Sequence, residues 1–347
     1  MPGSKEKKEP HLSSLPKHKN AYVWLFMKGD FYLPGVLVSA YSIARTNPDA
    51  DLVVMITDDV SQHSQNMLLK VATHLFHIPY ISFDSKEMKT ERQRQLYGTW
   101  IASSYTKWNA LALPYEKILL IDGDTIHTEN TDELFDLPAP AMPLASPFVE
   151  PLGKIHTYYD GPVGLDGYPV HGTQFDLSVI DNILNKGGVL PTSTPALITP
   201  SVADYKEYIT MIKSMEPFGF PECHSGFDEQ SISYFYLTKK RPYTTIHQKY
   251  NYYPWKDGFI FPGDVPRIIH FFSDTKPWTV DFDKYPDVIT WYKMAVRAIE
   301  DLNITAEDIA LKTSNTSSAK SAEDLFSRKF LKTDDVLQIY GTLKIPN

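Results

Sequence analysis

Lys117-Ile118-Leu119-Leu120-Ile121-Asp122-Gly123-Asp124 is the stretch that decides the fold. Its unbroken apolar run reads as a strand buried on both faces, as in parallel sheets. Two carboxylates follow at once, at the strand's carboxyl end, where open α/β sheets bind their ligands. Upstream, the same pattern repeats. Ala21 to Met27 is a buried strand that ends at Gly29-Asp30. A helix follows with Val36, Ala40, Ile43 and Ala44 on one face, ending before Asn47-Pro48. Leu52 to Ile56 reads as a strand, Ser61 to Phe76 as a helix and Ile78 to Phe83 as a third strand. Trp100 to Leu113 carries Ile101, Tyr105, Trp108 and Ala112 at helical spacing, and Pro114 stops it. This alternation predicts an α/β fold: one Rossmann-like, mostly parallel central sheet flanked by helices.

Downstream, residues 138–192 are rich in Pro and Gly and poor in periodicity, and they read as a long insertion. Regular pattern resumes with a short strand at Pro195-Ala196-Leu197-Ile198. Ser201 then caps a helix, with Asp204 three residues on. Phe227 to Leu237 reads as a helix, Arg267 to Phe271 as a strand and Val288 to Ile299 as a helix. The expected organisation is a disordered leader over 1–19, one domain over 20–302 and a polar extension over 303–347.

The chain has 347 residues, 42% of them apolar, and a net charge of −8. No basic patch stands out, so nucleic acid is not an expected partner. No apolar run is long enough to span a bilayer, and no signal-peptide core follows Met1. Cys223 is the single cysteine, which excludes an internal disulfide and a cysteine metal cluster. A reducing, cytoplasmic setting is the expectation.

Asp122 and Asp124 can approach one ion because Gly123 adds no bulk between them. Hard oxygen ligands select Mg²⁺ or Mn²⁺, and a diphosphate on that ion would have its leaving charge neutralised. Alone, the pair also fits a strand-end turn with solvated carboxylates. Asp122-Gly123-Asp124-Thr125 further fits the motif of aspartate-nucleophile phosphohydrolases, but that motif opens its domain, and here strand–helix units precede it. His270 supplies a third ligand suited to Mn²⁺, and Lys276, six residues on, a cation for the diphosphate.

Three anchors in order then resemble the glycogenin-like retaining glycosyltransferases, family 8, which use a GT-A fold. They are the turn ending Tyr32-Leu33-Pro34-Gly35, Tyr105-Thr106-Lys107-Trp108 with the Leu119 to Asp124 stretch, and His270 through Lys276-Pro277-Trp278. The resemblance spans about residues 21–278. It implies Mn²⁺ on Asp122, Asp124 and His270, with Mg²⁺ as the alternative, and a UDP-sugar donor, UDP-glucose first. Lys276 would bind the diphosphate, with Gly123 beside it. Lys107 would stand near the donor sugar or phosphate, and Leu25 and Tyr32 would line the uracil pocket. Asp228-Glu229-Gln230 resembles the family's acidic-Gln pair, which places Gln230 on the sugar face opposite the leaving group and Glu229 on the sugar hydroxyls.

The sequence departs from that pattern at Ser273, where the family has glycine. It departs again at Thr192-Ser193-Thr194, where the family has an Asn-Ser/Ala-Gly segment that helps hold the sugar. The acceptor, a glycan, a protein side chain or a small polyol, would meet the insertion and the stretch from Tyr250 to Trp255. Homodimers are common in the family. The competing expectation is a catalytically weak nucleotide-sugar-binding protein on the same scaffold.

Overall fold

The computed structural model describes residues 16–88, 100–144, 169–253, 266–272, 275–280 and 286–321, together with 91, 94, 95, 98 and 162. Its centre is an eight-stranded sheet in the order β3-β2-β1-β4-β8-β6-β9-β7. The first half comprises β1 (Asn20–Phe26), β2 (Asp51–Ile56), β3 (His74–His77) and β4 (Lys117–Ile121), all parallel. The second half comprises β6 (Ala141–Pro143), β7 (Gln174–Phe175), β8 (Ala196–Ile198) and β9 (Tyr243–Ile246). There β8 runs antiparallel to β4 and β6, and β7 antiparallel to β9. A two-stranded sheet pairs β5 (Thr125–His127) with β10 (Ile268–His270). The expected mostly parallel α/β sheet is the observed one.

The apolar runs divide between two layers. Tyr22, Trp24, Phe26, Leu119 and Ile121 face helices α1 (Leu33–Ala44), α2 (Gln62–Leu68) and α6 (Pro286–Asp301). Ala21, Val23, Ile118 and Leu120 face the 3₁₀ helix Ile101–Ala112, α3 (Leu177–Lys186), α4 (Val202–Ser214) and α5 (Phe227–Thr238). A fully buried Leu or Ile contributes about 1.5–3 kcal/mol, so the β4 run pins the place where its carboxylates emerge. Chain order reverses at β1 and β4, since the strands preceding β4 lie on one side of it and the later ones on the other. That reversal opens a crevice at the carboxyl ends.

Several boundaries differ from the sequence expectation. The helix expected from Ser61 to Phe76 stops at Leu68, because His74–His77 pairs with β2 as an edge strand. The third strand is therefore this one and not Ile78 to Phe83, which continues as irregular chain joined to the 3₁₀ helix by Phe83 N to the Ala102 carbonyl, 3.1 Å. The insertion is partly regular: β6, β7 and α3 arise within it, and both strands join the main sheet. Beyond residue 303, Ile304, Ile309, Leu311 and Ala319 are buried against the α1 and α6 layer, the last on helix α7 (Thr313–Ser321). Among the described residues, no helix is long and apolar enough to cross a membrane.

Candidate functional site

Strand alternation sends consecutive β4 side chains to opposite faces, so Asp122 follows Leu120 toward the 3₁₀ helix. There Lys107 Nζ donates to Asp122 Oδ1 at 2.6 Å. Gly123 turns the chain tightly against α1: a Cβ on it would lie 2.6 Å from Val36 Cγ2. The turn delivers Asp124 to the other side. The small sheet does the rest, because β10 pairs with β5 in a register that sets His270 opposite Thr125. His270 Nε2 then lies 3.2 Å from Asp124 Oδ1, and Lys276 Nζ donates to Asp124 Oδ2 at 2.6 Å.

Asp122, Asp124 and His270 each offer one ligand atom, all within 4.8 Å of one another. One divalent ion with ligand bonds of about 2.1–2.5 Å spans that separation. Donor chemistry agrees with an ion: two carboxylates and one imidazole suit Mn²⁺ or Mg²⁺. Asp124 and His270 are buried, and Asp122 is partly exposed, so the site has a dry side and an open side.

Electrostatics reinforce the arrangement. Burial alone would raise the Asp124 pKa, but Lys276 and His270 outweigh it and hold the carboxyl well below its ordinary range. Burial likewise opposes charge on Lys107 and Lys276. Asp122 and Asp228 beside the first, and Asp124 beside the second, keep both ammonium groups charged.

The first turn of α5 forms the floor, tied down by Trp108 Nε1 donating to the Asp228 carbonyl at 3.0 Å. Asp228 Oδ2 lies 3.8 Å from Lys107 Nζ. Glu229 accepts from Ser193 N at 3.1 Å, and its carboxyl is pushed up to about 8 by burial and then by Asp228. Gln230 follows, buried in the same helix turn. Its carbonyl accepts from Phe220 N at 2.9 Å and its amide donates to the Ser225 carbonyl at 2.8 Å. Both ends of this buried side chain thus bond backbone, as do both carboxyl oxygens of Glu229, the second accepting from Gly226 N at 3.3 Å, while Glu229 also adds its charge beside Lys107.

Tyr32 packs edge-on against Trp278, ring centroids 5.2 Å apart, near Lys276 Nζ. Burial is the main reason its hydroxyl pKa rises to about 12. Leu25 is half-buried on the other face of the sheet, against the layer holding the 3₁₀ helix. Gly35 has no room for a side chain, since a Cβ would meet Trp278 at 2.5 Å and the Gly123 carbonyl at 2.6 Å.

Hydroxyl residues at the site escaped the sequence reading as site-builders. Thr194 Oγ1 accepts from Asp122 N at 2.9 Å, and Ser193 Oγ accepts from Lys107 at 3.0 Å and donates to Asp228 at 3.3 Å. Their signal was present, since Thr192-Ser193-Thr194 is where the sequence departs from the family it resembles. Asn251 was missed too, inside a stretch expected to face an acceptor. Tyr250 of that stretch is buried, its hydroxyl donating to Glu133 at 2.9 Å, and residues 254–255 and Ser273 lie outside the described residues.

Comparison with known proteins now adds a family. The sequence model of "Glycosyl transferase family 8" matches residues 25–147. That span holds Tyr32, Lys107 and the Asp122-Gly123-Asp124 turn. His270, Lys276 and the α5 carboxylates lie beyond it. Uncharacterized protein R707 of Acanthamoeba polyphaga mimivirus is 36% identical over 122 residues, 35% of this chain and 41% of that protein. Glycogenin of Neurospora crassa is 29% identical over 127 residues, 36% of this chain and 18% of that protein. The chain thus matches less than half the length of these relatives. The crystal structure of galactosyltransferase LgtC, in complex with donor and acceptor sugar analogs, aligns over 79% of this chain and 95% of its own, at 12% identity and a TM-score of 0.48. Residues 25–147 are thus the part of the chain that is similar to family 8 glycosyltransferases.

Proposed function

We propose that this chain is a metal-dependent, retaining glycosyltransferase that moves a hexose from a UDP-sugar, UDP-glucose first, to an acceptor hydroxyl. The carrying observation is the grouping of Asp122, Asp124 and His270 within 4.8 Å, with Lys107 and Lys276 paired to its two carboxylates. Mn²⁺ bound there would neutralise charge on the donor's diphosphate. Lys276 turns from Asp124 toward the phosphate that departs. Lys107 holds Asp122 and Asp228 in place and keeps a positive charge at the edge of the sugar site. Glu229 and Asp228 face the sugar hydroxyls from the floor, and Tyr32 and Leu25 flank the base. Burial and then Asp228 raise the Glu229 pKa, and Ser193 N and Gly226 N donate to its two carboxyl oxygens, which holds the side chain in place beside the sugar site. A departing phosphate oxygen on the same face takes the acceptor proton, so no strong base is required. The single buried Cys223 suits a reducing, cytoplasmic setting.

The test is hydrolysis of UDP-sugars with and without Mn²⁺, comparing wild type with Asp124→Asn. Expected is metal-dependent release of UDP, lost in the variant by about 10²-fold or more, the order seen when one electrostatic group of an active site is removed. Equal, metal-independent rates in both proteins would end the proposal. Tight binding of UDP with Mn²⁺ but no turnover on any UDP-hexose would assign the scaffold to binding alone.

A further inference from the structure

Asn251 lies between β9 and β10, and no part of its side chain reaches solvent. Its amide makes three hydrogen bonds. Nδ2 donates to Thr192 Oγ1 at 3.0 Å and to Tyr253 OH at 2.7 Å. Oδ1 lies 2.9 Å from His270 Nδ1. The direction of this chain is set at its far end. The Thr192 hydroxyl donates its proton to the Thr194 carbonyl at 3.0 Å, so toward Asn251 it can only accept. The amide nitrogen must therefore face Thr192, and the carbonyl oxygen must face the histidine. An oxygen there requires a proton on His270 Nδ1. The other ring nitrogen, Nε2, faces Asp124 Oδ1 at 3.2 Å and is the one whose lone pair the neutral ring offers. A cation that takes the Nε2 lone pair would therefore sit beside the Asp124 carboxylate.

We propose that Asn251 is a positioning residue that fixes the tautomer and the ring orientation of His270, so that Nε2 is held as a metal ligand. The proposal rests on the metal reading given under Proposed function and names the residue that makes the third ligand competent. Metal-binding histidines commonly donate their second nitrogen in this way, and loss of that partner costs about 10–100-fold in metal affinity. The relay also gives Thr192 a part: through Asn251 it links the segment before β8 to the histidine that ends β10. Thr194 of the same segment holds Asp122 by its backbone N–H. One short run of hydroxyl residues thereby braces ligands on both sides of the ion.

The experiment uses the full chain. Ring-nitrogen NMR, with His270 assigned by its absence in His270→Ala, should show the Nδ1–H tautomer in wild type. Mn²⁺ binding with UDP, followed by electron paramagnetic resonance, should weaken by about tenfold or more in Asn251→Leu. Asn251→Asp keeps an acceptor oxygen for Nδ1–H and should stay within about threefold of wild type, a rescue that a packing role would not give. Thr192→Val frees the amide to turn and should produce a mixed tautomer population in a protein whose core is little changed. In a His270→Ala background, Asn251→Leu should cause no further loss of affinity.

An Nε2–H tautomer in wild type overturns the proposal. So do equal losses in Asn251→Leu and Asn251→Asp, or an undiminished Asn251→Leu effect in the His270→Ala background. Unimpaired Mn²⁺ binding by Asn251→Leu, with wild type binding normally, overturns this proposal alone. Wild type that keeps the Nδ1–H tautomer yet binds no Mn²⁺ overturns the underlying metal reading, and this inference with it.

Discussion

Gly123→Ala adds a single methyl group at the turn that carries both carboxylates. The new carbon would sit 2.6 Å from Val36 Cγ2. Carbon atoms rest at about 3.5–4.0 Å, so the two must separate by roughly 1 Å. Val36 cannot yield cheaply: it is fully buried in α1, and a β-branched side chain in a helix has one strongly preferred rotamer. Its backbone is no softer, since Val36 N donates to the Tyr32 carbonyl at 3.0 Å at the start of that helix. The turn therefore moves instead, and Asp122 and Asp124 move with it.

Overpacking of this kind costs about 1–3 kcal/mol of stability. A displacement of about 1 Å in a reacting geometry costs on the order of 10²-fold in rate. The expected result is a folded protein with a lowered melting temperature, Mn²⁺ affinity reduced with UDP present, and turnover reduced by about 10²-fold. The second variant supplies the control. Gly123→Ala with Val36→Ala removes the opposing methyl and should recover much of the affinity, even though the core loses packing. Wild-type Mn²⁺ affinity and turnover in Gly123→Ala would show that the turn is not held against α1. Failure of Val36→Ala to restore any affinity would show that the loss arises elsewhere.

Gln230→Ala should behave as a stability variant. It strips partners from Phe220 N–H and the Ser225 carbonyl, at about 1–3 kcal/mol for each group left buried and unpaired. Chemical denaturation should record that loss while the donor KM stays unchanged; a raised KM at unchanged stability would instead return Gln230 to the sugar face. Glu229 should make stability depend on pH in the metal-free protein. Its pKa rises from 4.5 to about 8 on folding, so between these values the native state holds a proton that the unfolded chain has lost. That contribution to stability is full below the unfolded pKa and falls as pH rises through the window. Glu229→Gln has no such proton, so its melting temperature should gain on wild type steadily across that range. Parallel pH profiles for the two proteins would refute the shifted pKa.

The first half of the fold was legible because β1, β2 and β4 are buried on both faces and must be apolar throughout. The third strand was misplaced for the converse reason. His74-Leu75-Phe76-His77 is an edge strand, paired on one side by β2, and its two histidines break any apolar run. The far half of the sheet was harder still. β6 has three residues and β7 two, too few for any periodicity to register. Their pairing is set by partners distant in sequence, and not by local preference. The same division runs through the site. Asp122, Asp124 and His270 were legible because carboxylates and imidazole are the residue types a divalent ion requires. Ser193, Thr194 and Asn251 are ordinary polar residues until folding brings Asp122, Lys107 and His270 beside them.

The family match and the site divide the chain at different places. Residues 25–147 supply Lys107 and the paired carboxylates. Residues beyond that span supply His270, which completes the group with Asp122 and Asp124, and Lys276, Ser193 and the α5 acids around it. Strand alternation explains why both parts are needed. Asp122 leaves β4 toward the 3₁₀ helix and meets Lys107, while Gly123 turns Asp124 toward β10 and meets His270 and Lys276. Neither face alone closes the coordination. The part outside the family match also carries Asp228, 3.8 Å from Lys107, and Glu229 beside it. On the proposed reading, donor choice would be tested at Ser193, Asp228 and Glu229, which join Lys107 from outside the family match.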